Sequence, residues 1–208
     1  MNSIMAAGKQ VFPSKIICIG RNYVGHIQEL ENEIPEEMVV FLKPNSAISS
    51  TLYSQLHEPL HYETEIAFMV EDSQLGYVGV GLDLTKRALQ SRLKKKGLPW
   101  ERAKSFDGAA LFSDFVSLKG MDCQLTIERL VVELKINGEL RQAGSVAMMM
   151  YSPDVILDQL QTFMTLNDGD LVMTGTPAGV GEVVKGALYH ASIHVAGEVL
   201  VASEWRAE

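Results

Sequence analysis

Basic residues are in deficit in this chain. Eighteen lysines and arginines stand against 26 aspartates and glutamates, a formal charge of −8 over 208 residues. That deficit excludes nucleic acid or an anionic membrane as the main partner, since both reward a basic face. No apolar stretch approaches 18 residues, so no spanning helix is expected. Residues 1–20 lack a basic region followed by an apolar run and a small-residue cleavage site, so no secretory signal is expected either. Cysteine is scarce: Cys18 and Cys123 sit far apart inside apolar runs, neither near a second cysteine or histidine at ligand spacing. A disulfide framework is thereby excluded, and buried thiols in a reducing compartment are implied. Internal repeats, low-complexity tracts and Pro/Ser-rich linkers are also missing. What remains is an acidic, soluble, cytoplasmic globular protein, with 47% hydrophobic residues to fill a sizeable core. It is expected as a short N-terminal arm over 1–14 and a single domain over 15–208.

What is present is mostly short apolar runs. Lys15–Gly20 and Met38–Leu42 read as buried strands. Tyr62–Val70 and Tyr77–Asp83 read as two more, joined by a Glu-Asp-Ser-Gln turn. Val131–Ile136 runs into Asn137-Gly138, a strong hairpin signal, with a return strand from Glu139. Asp170–Thr174 and Ala191–Leu200 are further strands. Leu84–Lys96 reads as a helix closed by three lysines and Gly97. Pro153–Leu166 reads as a second, with Val155, Ile156, Leu160 and Phe163 as its stripe and Ser152 as its cap. Tyr23–Asn32 is a short third. Strands outnumber helices without alternating with them, which predicts a mainly β, α+β architecture rather than a Rossmann-like sheet.

The chemistry concentrates in carboxylates. Glu63 and Glu65 lie two apart in a strand pattern, so they share a face with apolar Ala67 and Met69. Two like charges there need a proton, a basic side chain or a metal ion, unless the face is simply exposed. Asp83 ends the neighbouring strand, where a hairpin would bring it beside them. Three hard oxygen ligands suit Mg²⁺ or Mn²⁺ and leave octahedral positions open for water and a bidentate ligand. Asp83 has a second reading, as the N-cap of Leu84–Lys96. Lys104 is either a solvated lysine or a positive charge beside the metal. His26 and Glu29, three apart, are either a surface pair or an imidazole oriented by a carboxylate, as a general base requires. Residues 174–181, Thr-Gly-Thr-Pro-Ala-Gly-Val-Gly, form a tight loop that could offer N–H groups and Thr176 to an anion. The loop lacks the ending of a P-loop, and no helix pattern follows it.

Taken together, these segments resemble the fumarylacetoacetate hydrolase family, in particular its acylpyruvases and oxaloacetate decarboxylases. The resemblance runs from about Lys15 to the end. It is carried by Gly20-Arg-Asn-Tyr23 with His26 and Glu29, Phe41-Leu-Lys-Pro44, Tyr62-Glu-Thr-Glu65, Leu82-Asp-Leu-Thr85 with Arg87 and Gln90, Lys95-Lys-Gly-Leu-Pro-Trp100, Ala103-Lys-Ser-Phe-Asp107, Asn137–Gln142 and residues 174–181. It implies a β-sandwich roll with a few helices, assembled as a homodimer. It implies Glu63, Glu65 and Asp83 as ligands of Mg²⁺, or Mn²⁺. His26 and Glu29 become a catalytic dyad on a mobile lid helix, and Lys104 the lysine beside the metal. Arg21, Gln90 and Thr176 fall near the bound ligand, a small 2-oxo acid. The implied activity is hydrolysis of acylpyruvates, oxaloacetate decarboxylation, or both, through a pyruvate enolate. The alternatives are an isomerase of 2-hydroxy-dienedioates, an oxaloacetate tautomerase, or a non-catalytic binder of dicarboxylates. Two departures stand out: Thr85-Lys86-Arg87-Ala88 replaces the common Thr-Ala-Arg-Asp, and Ala143 and Ala147 stand where polar residues are frequent.

Overall fold

The computed structural model describes residues 1–30, 33–121 and 123–208, without the side chains of Cys123 and Gln124. The chain opens with a hairpin of β1 (Ile4–Ala6) and β2 (Lys9–Val11), followed by β3 (Lys15–Gly20), α1 (Val24–Glu29) and β4 (Val39–Pro44). Next come β5 (His61–Tyr62), β6 (Thr64–Glu71) and β7 (Gln74–Asp83), then α2 (Arg87–Lys95) and α3 (Glu101–Lys104). β8 (Ala110–Phe112), β9 (Val116–Ser117) and α4 (Cys123–Glu128) lead to the hairpin β10 (Leu130–Ile136) and β11 (Glu139–Ser145). α5 (Pro153–Gln161), β12 (Leu171–Met173), β13 (Gly181–Glu182), β14 (Leu188–Val195) and β15 (Glu198–Arg206) complete it.

Strands dominate and helices are few, the mainly β, α+β architecture that the pattern predicts. The larger sheet runs β4-β3-β12-β6-β7-β8, with β9 also pairing β7; the smaller runs β11-β10-β14-β15. Alternation explains how they pack. Ile17, Ile19, Ile66, Phe68, Val78 and Val80 of the larger sheet share one core with Val132, Leu134, Tyr189 and Ile193 of the smaller. Ile16, Cys18, Ala67, Met69, Leu171 and Met173 point the other way, into a second cluster that Ile4 and Ala6 of the first hairpin help to cover. The larger sheet is thus buried on both faces, which is why its strands read as unbroken apolar runs. Cys18 is a buried free thiol. Burial first, and the negative charge of Asp83 second, push its pKa well up, so it stays protonated and inert. Cys123's expected burial, and the end of the expected Tyr23–Asn32 helix, lie outside the described residues.

Several sequence expectations are corrected by the structure. The Tyr62–Val70 run breaks at Glu63, because β5 pairs with β13 while β6 joins the larger sheet. The Ala191–Leu200 run is two strands, turned at Ala196-Gly197, both at positive φ. The helix expected from Leu84 starts at Arg87, since Thr85 is still bridged to His61. Asp83 therefore caps nothing. α5 stops at Gln161, so Phe163 is exposed, as is Val155, and the buried stripe is Ile156, Leu157 and Leu160. By contrast, the Asn137-Gly138 turn forms with both residues at positive φ, the conformation a two-residue hairpin loop demands.

One buried ion pair ties the larger sheet together. The Asp170 side chain, fully buried, accepts from Ser14 Oγ at 2.5 Å, from Asn167 N at 2.8 Å and from the Lys15 ammonium. It thereby fixes the start of β3 to the entry of β12, its parallel neighbour. Burial alone would raise this carboxyl, but the Lys15, Ser14 and Asn167 hydrogen bonds outweigh it and hold the pKa below the usual range. Its contribution is therefore present above the ordinary carboxylate pKa and is lost as pH falls through the depressed one. Asp170→Asn should cost about 3 kcal/mol, lowering the melting temperature by about 6–12 °C. Melting curves across acid pH check this: the variant's deficit should shrink as the wild type is acidified.

Candidate active site

Sheet geometry places the first three residues. Glu65 pairs with Gly81, and the Glu63 carbonyl accepts from Asp83 N at 2.8 Å. Glu63, Glu65 and Asp83 each offer a carboxylate oxygen within 4.8 Å of the others, all three buried at 5%, 2% and 1% exposure. Lys104, from α3, donates to Glu63 Oε2 and Asp83 Oδ2, both at 2.8 Å, and to Thr85 Oγ1 at 2.6 Å. An ammonium has three donors, so all of them are spent on this cluster. Arg87 pairs with Glu63, and Lys43 lies 2.8 Å from Asp83 Oδ1 without hydrogen-bond geometry.

These cations are shared unevenly. Burial pushes the Glu63 carboxyl up, but Lys104, Arg87 and His26 pull it well below the usual range. Glu65 goes the other way: burial, then the charges of Asp83 and Glu63, hold it well above the usual range, against a backbone hydrogen bond from Gly175 and the more distant charge of Lys104. The cluster is short of positive charge at Glu65. Three buried carboxylates, all-oxygen donors and that shortfall fit a divalent cation of the Mg²⁺ or Mn²⁺ kind.

The glycine loop after β12 does offer N–H groups to anions, but to the protein's own carboxylates. Gly175 N donates to Glu65 Oε2 at 2.7 Å, and Gly179 N to Glu29 Oε1 at 3.0 Å. Both glycines have positive φ, and a Cβ on Gly179 would stand 2.0 Å from the Arg141 carbonyl. Thr176 Oγ1 donates to the Thr64 carbonyl at 2.9 Å and accepts from Gln142 Nε2 at 2.8 Å. On α1, Glu29 Oε2 lies 3.3 Å from His26 Nδ1. That leaves His26 Nε2 for a substrate. Burial chiefly lowers the imidazole pKa, partly offset by Glu63 and Glu29, so His26 is neutral at pH 7.

Arg21, His26, Glu63, Glu65, Asp83, Gln90, Lys104 and Thr176 all line one cavity, with Arg87, Lys94, Phe41 and Trp100 completing its wall. Glu29 stands behind His26. Sequence reasoning gave no role to Lys43, Arg87 or Gln142. All three lay inside segments that carry the resemblance, which was the available signal. The departures fall elsewhere, since Ala88, Ala143 and Ala147 are exposed.

A curled two-sheet β roll with three buried carboxylates and a helix-borne imidazole in one cavity is the architecture of a class of enzymes. The family model described as fumarylacetoacetate (FAA) hydrolase, C-terminal, matches residues 15–203, and the chain belongs to that family of enzymes. It is 38% identical over 194 residues to a bovine protein named oxaloacetate tautomerase FAHD1, mitochondrial, covering 86% of each chain. It is 37% identical over 196 residues to oxaloacetate tautomerase YcgM of Escherichia coli, covering 83% of this chain and 85% of that one. The fumarylpyruvate hydrolase of Pseudomonas aeruginosa, solved with Mn²⁺ and pyruvate, superposes with a TM-score of 0.85 at 29% identity, covering 99% of this chain and 95% of that one. Among the described residues, no helix is long and apolar enough to cross a membrane.

Proposed function

We propose that this enzyme acts on a small 2-oxo acid, oxaloacetate first, by moving a proton at the carbon next to the 2-oxo group. Residues 15–208 form the catalytic domain, with the first hairpin packed on it as an arm. The observation that carries this reading is a neutral, buried His26 in the same cavity as the carboxylate cluster. Glu63, Glu65 and Asp83 would hold a divalent cation, Mg²⁺ or Mn²⁺, which supplies Lewis-acid polarisation of a 2-oxo group. His26 Nε2 takes the proton from C3 and passes it to the 2-oxo oxygen, or runs the reverse, interconverting keto and enol forms. Glu29 holds the ring and stabilises its protonated state. Lys104, with its donors committed, stabilises negative charge through space. Arg21 and Gln90 orient the acid, and Thr176, its hydroxyl committed to Thr64 and Gln142, lines the wall beside it.

C–C cleavage of acylpyruvates, or decarboxylation, is the second reading. The Pseudomonas fumarylpyruvate hydrolase supports it, and it asks little more of the site: in hydrolysis His26 activates a water in place of C3, and in decarboxylation CO₂ leaves and a proton is delivered to the enolate carbon. The dienedioate isomerase reading has weaker support, resting on a solved isomerase only 26% identical. A homodimer in the cytoplasm completes the proposal.

The test follows loss of the enol form of oxaloacetate and release of pyruvate in parallel, with Mg²⁺, with Mn²⁺ and with chelator. Metal-dependent enol loss that outpaces pyruvate release is expected. Faster pyruvate release from oxaloacetate or acetylpyruvate would establish the second reading. Turnover indifferent to chelator would overturn both.

A further inference from the structure

Arg87, Gln90 and Lys94 recur at i, i+3 and i+7 on α2, so one stripe of the helix faces the cavity, and all three line it. Two are engaged. Arg87 pairs with Glu63 and donates to Gln90 Oε1 at 2.8 Å. The cluster's other cations, Lys43 and Lys104, are paired with its carboxylates as well. Lys94 is different. Its ammonium sits 4.8 Å from the centre of the Trp100 ring and makes no ion pair among the described residues. Burial, then the positive charges of Arg21, Arg87 and Lys104, lower its pKa to about 8. Among the described residues, this end of the cavity is a positive region with no anion paired to Lys94.

The shared cavity suggests which anion, since Lys94 lines it together with Glu63, Glu65 and Asp83. Two helical turns, about 10 Å, separate the backbone of Lys94 from that of Arg87 at the carboxylate cluster. A ligand whose oxo-acid end lies at the cluster would present its far end towards Lys94. The stacked Trp100 ring restricts the lysine's rotamers, so less freedom is lost when it binds.

We propose that Lys94 binds the distal carboxylate of a dicarboxylic 2-oxo acid and sets the preference for such substrates over monocarboxylic ones. The inference rests on the reading of the cavity as a 2-oxo acid site. Lys94 is a specificity residue, apart from the proton-transfer machinery.

The experiment compares wild type, Lys94→Gln and Lys94→Arg, each loaded with Mn²⁺. KM for oxaloacetate is measured beside the inhibition constant of pyruvate, which lacks the distal carboxylate. Loss of one charge-assisted hydrogen bond should raise the oxaloacetate KM about 10–100-fold in Lys94→Gln, with pyruvate inhibition unchanged and most of the loss restored in Lys94→Arg. Parallel weakening for oxaloacetate and pyruvate would overturn the inference, since it would mean a general loss of potential or packing. An unchanged oxaloacetate KM would overturn it too. If the wild type turns over no oxaloacetate, the reading of the site fails separately. Calorimetric titration with oxaloacetate and pyruvate then decides about Lys94, with equal oxaloacetate affinity in wild type and Lys94→Gln counting against it.

Discussion

Glu65→Gln should lower metal-dependent turnover by about 1,000-fold or more while leaving the metal-free fold at least as stable as the wild type. A Lewis acid contributes several kcal/mol to such a transition state, and each 1.4 kcal/mol is about tenfold in rate. The stability half follows from the site's charge. Glu65 is held well above its usual pKa by burial, Asp83 and Glu63. A group raised in the folded state contributes stability that is full below its unfolded pKa and is lost as pH rises through the folded one. Metal-free wild type should therefore lose melting temperature as pH rises from acid to neutral, and Glu65→Gln should lose less. Added Mg²⁺ or Mn²⁺ should raise the wild-type melting temperature and leave the variant's nearly where it was. A variant that still melts higher with metal and still turns over would remove Glu65 from the ligand set.

His26→Asn should cost about 100- to 10,000-fold in turnover, the range for loss of a positioned general base, with metal-induced thermal stabilisation intact. The pH profile separates a base from a bystander. Burial depresses the imidazole pKa, and only the neutral ring can accept a proton. Wild-type activity should therefore climb with pH through that lowered pKa and then level, remaining high at an acidity where a free imidazole would already be protonated. In His26→Asn that acidic limb should vanish along with most of the rate. An unaltered acidic limb would assign the titration to another group.

How much of this was legible in the sequence follows from the range of each signal. Local signals read well. Asn137-Gly138 specified its hairpin because those two residues tolerate the positive φ the turn needs. Ala196-Gly197 makes the same kind of turn, but alanine does not advertise it, so β14 and β15 read as one strand. The Glu63/Glu65 spacing was visible, whereas the switch between sheets at Glu63 was not, because it depends on β13, more than a hundred residues on. Asp83 could be read as a cap or as a ligand, since both need a short acid at the end of a strand; only the path of residues 84–86 separates them. Lys43 shows the limit. Nothing local marks a lysine in a strand as fully buried, and its burial makes sense only once Asp83 arrives from another strand. Arg87 was in view as part of a motif, yet its partner Glu63 is 24 positions away.

The carboxylate of Glu29 has two attachments, one to the imidazole of His26 and one to the amide of Gly179. Through the second it anchors a short helix to the loop whose other glycine grips Glu65. Were the helix to swing outward to admit a substrate, the Gly179 anchor would part, and the carboxylate behind His26 would lose the bond that fixes it from the loop. On the proposed reading, proton abstraction would then belong to the shut enclosure, and altering Glu29 would mix impaired latching with weakened basicity.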